Sequence, residues 1–228
     1  MKMLLSMCVV AALAIAARGA EPATQPVAKP PIVTRQQWGS TPLEIPDSRK
    51  HTPKFITIHH AGVFWKAGGD PAKFVKSMQS WGQRDKNWPD LPYHFLIAPD
   101  GRIFEGRAIE YEPESNTKYD LQGHIGVELM GSFGQQRVSQ PQLESLVKIV
   151  AWLSQELKID VSQIAGHKDR APKQTDCPGR DMYRYITGGQ IRQWVTELQA
   201  GKQPKVELLP ALPEGPTTMI GEVATTQP

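Results

Sequence analysis

The chain has 228 residues, of which 39% are hydrophobic, and a formal net charge of +3 at pH 7. This near balance of acidic and basic residues, with no basic run, argues against nucleic-acid binding. The length suits one domain with a single core.

The first residues have the pattern of a secretory signal peptide. Lys2 precedes an apolar run from Met3 to Ala17, and small residues follow as far as Ala20, so we place the signal peptide at residues 1–20. The run is about 15 residues long, whereas a spanning helix needs roughly 20. We therefore expect a secreted or periplasmic protein with no membrane span once the signal is removed. Its removal would take away Cys8 and leave Cys177 as the lone thiol.

Proline-rich segments flank the predicted domain. Residues 21–31 contain four prolines and residues 202–228 contain five, so we expect a flexible linker and a disordered Pro/Thr-rich tail, respectively. The compact domain is then residues 32–201, and we expect it to be a monomer.

Within the domain, strand and helix patterns alternate. Short apolar or β-branched runs predict strands at residues 55–59, 93–98, 102–105 and 125–130. Asp70 as N-cap before Pro71 opens a first helix, and Ser139 with Gln142 forms a capping box that opens a second. A last helix covers residues 190–200. This order predicts an α/β single domain with a mixed central β-sheet flanked by helices.

Cys177 lies ten residues after His167 in a loop rich in proline and glycine. Thiolate and imidazole are preferred ligands of Zn²⁺, and a third ligand with an open fourth position would make a hydrolytic site. His59 or His60 would supply the third ligand. Successive strand residues face opposite sides, so one of the two histidines enters the site at most, and periodicity does not choose between them. A small buried thiol and histidines satisfied by hydrogen bonds are the alternatives.

Glu128 lies inside an apolar strand, where an ionised carboxylate is costly unless it is paired or faces a polar cavity. It would serve as a general base beside the metal, or it would pair with Arg or Lys across the sheet. Tyr93, at the start of another strand, would donate to an oxyanion or would be an ordinary aromatic residue.

Taken together, five blocks of residues resemble the type 2 N-acetylmuramoyl-L-alanine amidases and peptidoglycan recognition proteins. The blocks are Val33–Gly39, Phe55–His60, Tyr93–Ile97 with Asp100–Arg107, Ile125–Glu128, and Gly166–Asp169 with Thr175–Gly179. They stand in the order that the family has, from about residue 32 to residue 186. Five blocks in register are specific, although each alone is weak.

The resemblance implies a Zn²⁺ site at one edge of the sheet, with His59, His167 and Cys177 as ligands. Tyr93 matches the tyrosine that recognition-protein and phage amidases have near the metal, and Glu128 matches the glutamate that bacterial amidases use as base.

Two residues before Cys177, many bacterial and phage members have lysine. This chain has Thr175 there, as several eukaryotic recognition proteins do, so we count Thr175 with Tyr93 and Glu128 among the catalytic candidates and leave open whether it or Lys173 assists.

The resemblance implies hydrolysis of the amide bond between N-acetylmuramic acid and L-alanine, with peptidoglycan or muropeptides as binding partners. A non-catalytic peptidoglycan-binding module and a zinc peptidase acting within the stem peptide are the alternatives.

Overall fold

A computed structural model describes residues 26–222. The predicted signal peptide lies outside the described residues. The strands are β1 (Ile32–Val33), β2 (Phe55–His60), β3 (Phe95–Ile97), β4 (Ile103–Glu105), β5 (His124–Leu129) and β6 (Ile164–Gly166). The helices are α1 (Pro71–Lys86), α2 (Gln140–Glu156), α3 (His167–Arg170), α4 (Arg180–Thr187) and α5 (Gln190–Gln199). In this part of the chain no helix is long and apolar enough to cross a membrane.

The strands form one mixed sheet in the order β1-β4-β3-β5-β2-β6. Only β3 and β4 are antiparallel, with Pro99, Asp100 and Gly101 in the connection between them, and the other neighbours are parallel. Strands β2 and β5 are central and almost wholly buried, as their apolar runs predict. Because β2, β5 and β6 run in the same direction, their carboxyl ends meet at one edge of the sheet.

The helix signals correspond to observed caps. The Asp70 side chain accepts hydrogen bonds from the main-chain N–H groups of Ala72 and Lys73 at the start of α1. Ser139 and Gln142 form the predicted capping box of α2. Helix α2 buries a stripe of leucine and valine side chains and contacts β3 and α5. The predicted α/β single domain with a mixed sheet is confirmed.

The C-terminal segment differs from expectation. Residues 206–220, predicted to be disordered, pack on the domain: Leu209 N–H donates to the Tyr185 hydroxyl at 2.9 Å, and Ile220 is buried against Gly131. Arg137 and Arg184 donate to main-chain oxygens of the segment. The acceptors are backbone carbonyls, which a segment of any composition supplies.

Residues 26–31, the described part of the predicted linker, also contact the domain. Val27 N–H donates to Gln155 Oε1 at 2.6 Å, and the ammonium of Lys29 lies 5.0 Å from the centre of the Trp152 ring. Residues 26–31 have no regular secondary structure, yet these contacts hold them on α2 because its outer surface offers an amide and an aromatic face.

Candidate metal centre

Two of the predicted ligands lie where strands end at the same edge of the sheet. His59 is the fifth residue of β2, and His167 directly follows β6 as the first residue of α3. Since β2 and β6 are parallel neighbours, their carboxyl ends bring these imidazoles together, with ring centroids 4.5 Å apart. The main-chain N–H of Lys168 donates to Cys177 O at 2.9 Å, which brings the cysteine loop to the same place.

The three side chains form one cluster. One ligand atom from each of His59, His167 and Cys177 lies within 4.8 Å of the other two, and all three residues are buried. The Cys177 Sγ atom is 3.7 Å from His59 Nδ1. Two imidazoles and one thiolate are a donor set that Zn²⁺ favours, and three protein ligands leave a fourth position for water or substrate. The residues present therefore fit zinc.

His60 contributes through its main chain. Its N–H donates to Cys177 Sγ at 3.3 Å, whereas its ring accepts from Phe133 N–H through Nδ1 at 3.2 Å. Pairing between β2 and β6 ends at Ile58 and Gly166. The main-chain N–H of His60 therefore lies beyond the end of β6 and donates to Cys177 Sγ instead of to a neighbouring strand. The alternation of β2 thus places one ring of the histidine pair in the cluster and the other outside it.

Tyr93 packs beside the cluster because Gly126 has no side chain. The Tyr93 and His59 rings are 4.9 Å apart. A Cβ at Gly126 would lie 3.3 Å from Tyr93 Cδ1 and 3.9 Å from His59 Cδ2. A larger residue would therefore push the phenol away. Burial raises the pKa of Tyr93 well above its ordinary value, so the hydroxyl keeps its proton and can donate.

Glu128 stands beside His59 in the register of β5 and β2, so the two side chains share a face of the sheet. It is 0% exposed, and neither carboxylate oxygen has a hydrogen-bond partner among residues 26–222. Burial raises its pKa well above the ordinary value. The alternative of an Arg or Lys partner across the sheet is wrong for the described chain.

Burial also sets the protonation of the ligands. It lowers the pKa of His167 to about 4 and holds the pKa of His59 well below its usual value, so both imidazoles are neutral at pH 7. Burial raises the pKa of the Cys177 thiol to about 12. A metal that binds there must displace the thiol proton, and its affinity rises with pH.

An open groove of about 630 Å³ leads to the cluster. Its lining combines apolar and aromatic side chains, Phe74, Met78, Trp81 and Trp88, with polar residues that include Ser115, Asn116, Thr117, Gln174 and Thr175. Trp81 is 36% exposed.

Thr175 lines the groove, and its hydroxyl accepts the main-chain N–H of Cys177 at 3.0 Å. The hydroxyl proton remains available for a second contact. His124 lies outside the cluster, because its ring pairs with the Thr57 hydroxyl at 2.8 Å.

The sequence did not single out the polar residues of segment 114–117, although this segment lines the groove together with side chains of α1. Thr117 Oγ1 is 2.6 Å from His167 Nε2. The run Glu-Ser-Asn-Thr has no periodicity and no ligand-type residue beyond its first, so no pattern would have found it.

The family model described as N-acetylmuramoyl-L-alanine amidase matches residues 49–180, which is more than half of the chain. The chain belongs to this family. The matched residues include the whole cluster, Tyr93, Glu128 and Thr175, and the predicted family is confirmed.

Relatives of the family are similar over most of the domain. Peptidoglycan recognition protein 1 of Mus musculus is 25% identical over 157 residues, which cover 68% of this chain and 85% of that protein. Peptidoglycan-recognition protein LB of Drosophila melanogaster is 26% identical over 167 residues, 71% of this chain and 69% of that protein.

Solved structures have the same fold. Drosophila peptidoglycan recognition protein SD has a TM-score of 0.61 at 20% identity, covering 70% of this chain and 94% of its own. The amidase LysC from Clostridium intestinale has a TM-score of 0.54 at 23% identity, covering 70% and 99%. Family and relatives together support a peptidoglycan amidase or a peptidoglycan recognition protein.

Proposed function

We propose that this chain is an exported zinc amidase that hydrolyses the bond between the lactyl group of N-acetylmuramic acid and the L-alanine of the stem peptide. The observation that carries the proposal is the convergence of His59, His167 and Cys177 at the base of an open groove, beside Tyr93 and an unpartnered Glu128. A binding-only protein would need the groove but not this set of neighbouring groups.

His59, His167 and Cys177 would hold the metal. When bound there, Zn²⁺ would supply Lewis acidity and lower the pKa of a bound water towards neutrality. The raised pKa of Glu128 suits a group that takes a proton from the attacking water and returns it to the leaving amine of L-alanine. Tyr93 donates its hydroxyl hydrogen bond to the oxyanion of the tetrahedral intermediate. Thr175, already accepting from Cys177 N–H, supports the cysteine loop and has its proton free for substrate.

Peptidoglycan or muropeptides are the proposed partners. Solved relatives include a mutant of Drosophila PGRP-LB in complex with tracheal cytotoxin, at 23% identity and a TM-score of 0.59, and this complex supports a ligand of the same class for the present chain.

Export is proposed from the signal-peptide pattern of residues 1–20, and the N-terminus of the mature protein should lie between Arg18 and Glu21. Amino-terminal sequencing of protein from the culture medium or periplasm tests this, and an intact N-terminus on cytoplasmic protein would contradict it.

The test of activity is the incubation of purified peptidoglycan with zinc-loaded protein, followed by mass spectrometry of the released peptides. We expect stem peptides that begin with the free amine of L-alanine. Cys177→Ser, which keeps the volume and loses the thiolate, should release none and hold no zinc. Binding without release by the zinc-loaded wild type would favour the recognition module, and peptides cut inside the stem would favour the peptidase.

A further inference from the structure

The His167 ring contacts a hydroxyl group of the segment 114–117, which lines the same groove. Thr117 Oγ1 lies 2.6 Å from His167 Nε2, and Ser115 Oγ lies 2.9 Å from Thr117 Oγ1. We propose that Thr117 is a positioning residue that accepts the Nε2–H of His167, fixes the tautomer and the plane of the ring, and leaves Nδ1 to bind the metal. This inference rests on the proposed zinc site and deepens it.

The pattern of partners supports this assignment of the two nitrogens. Nε2 contacts the Thr117 hydroxyl at 2.6 Å and, at the longer distance of 3.4 Å, Ser115 Oγ, whereas Nδ1 of His167 has no hydrogen-bond partner among the described residues. His59 likewise presents its Nδ1 to Cys177 Sγ. A neutral imidazole that binds a metal through Nδ1 carries its proton on Nε2, so the Thr117 contact and metal binding are compatible. The Thr117 hydroxyl then donates its own proton to Ser115 Oγ.

The segment that presents Thr117 is fixed on its N-terminal side by two arginines. The guanidinium of Arg107 is almost fully buried and donates to Leu91 O at 2.8 Å, Glu112 O at 2.7 Å and the Glu114 carboxylate at 3.2 Å. Arg49 contacts the carboxylates of Glu112 and Glu114. Partly buried, multiply bonded ion pairs of this kind define one geometry, because removing one partner of the buried Arg107 pair leaves an uncompensated charge.

On its C-terminal side, the same segment is tied to the cysteine loop. The Gln174 side chain accepts from Lys118 N–H at 2.8 Å and donates to Lys118 O at 2.9 Å. Gln174 lies three residues before Cys177. These two hydrogen bonds therefore connect the segment that contains Thr117 to the loop that contains Cys177. The segment is thus anchored on both sides of Thr117, and the Thr117 hydroxyl contacts the ring of a proposed metal ligand. Partners of this kind typically change metal affinity by about 10–100-fold when removed.

Two substitutions at one position test the proposal. Thr117→Val keeps the shape and removes the hydroxyl, and Thr117→Ser keeps the hydroxyl. Asn116→Ala is the matched control, because Asn116 lines the same groove and makes no hydrogen bond in the described structure. Zinc affinity is measured by chelator competition, and the ¹⁵N resonances of the His167 ring are recorded in metal-free and zinc-loaded protein, assigned by comparison with His167→Gln.

We expect Thr117→Val to weaken zinc binding by about 10–100-fold, while Thr117→Ser and Asn116→Ala stay within a few-fold of wild type. In metal-free wild type the His167 ring should be the Nε2–H tautomer, and Thr117→Val should give a mixture of tautomers. Wild-type zinc affinity and an unchanged ring spectrum in Thr117→Val would overturn the inference. A wild type that binds no zinc would refute the proposed function instead, and the metal-free spectra would still decide the role of Thr117.

Discussion

Replacement of Glu128 by methionine should raise stability while it removes the proposed general base. The side chain is 0% exposed, its oxygens have no partner in the described chain, and burial raises its pKa, so folding desolvates a carboxyl group that no other group satisfies. An unsatisfied buried polar group costs about 1–3 kcal/mol. Glu128→Met has a similar length and no such cost. For a domain of this size about 1 kcal/mol corresponds to roughly 2–4 °C, so metal-free Glu128→Met should melt about 2–12 °C above wild type.

Glu128→Gln separates chemistry from packing. The amide keeps the shape but accepts no proton, so turnover per bound zinc should fall by about 10²–10⁴ with little change in melting temperature. The measurements are thermal unfolding with a chelator at pH 7 and muropeptide hydrolysis per zinc-loaded molecule. Glu156→Gln, the same exchange at an exposed position of α2, should change neither quantity. A lower melting temperature for Glu128→Met together with normal turnover for Glu128→Gln would refute the reasoning and assign Glu128 a purely structural role.

Three further outcomes are expected. Tyr93→Phe should lower kcat by about 10²–10³ without loss of zinc, and an unchanged kcat would exclude the phenol as oxyanion donor. His94 donates from Nε2 to Tyr111 O and accepts from Gly126 N–H, and burial lowers its pKa to about 3. Its contribution to stability is complete above the unfolded pKa of about 6.5 and is lost as pH falls. Between pH 7 and pH 5 the free energy of unfolding, measured with urea, should therefore fall by about 2 kcal/mol more in wild type than in His94→Gln. Equal losses would contradict this. Deletion of residues 202–228 should lower the melting temperature, and an unchanged value would show that the packed segment adds no stability.

The sequence predicted the elements that carry strong local signals. The N-cap at Asp70 and the capping box at Ser139 involve side chains and main chain only a few residues apart, so they are readable in one dimension. Strand β6 has three residues and α3 has four. Elements this short show no hydrophobic periodicity from which they could be predicted. Helix α4 follows a glycine without a side-chain cap and was not predicted.

The site was predictable to the extent that its groups are chemically unusual. The lone thiol of Cys177 and a carboxylate inside the apolar strand β5 stand out by type, and the family resemblance then selected His59 from the pair. Thr117 and Gln174 act through hydrogen bonds between segments that are far apart in sequence. Common polar residues of this kind carry no signal until the fold brings their partners together.

His59 and His60 both contact Cys177 Sγ, but through different groups. One residue offers a ring to the cluster, and the next offers its amide proton to the sulfur. Side-chain scanning detects only the first, because every amino acid except proline retains the N–H. A His60→Ala protein that kept its zinc would therefore not show that position 60 is idle. In this fold the strand backbone itself holds the Cys177 sulfur, and comparison of side chains among relatives will not reveal it.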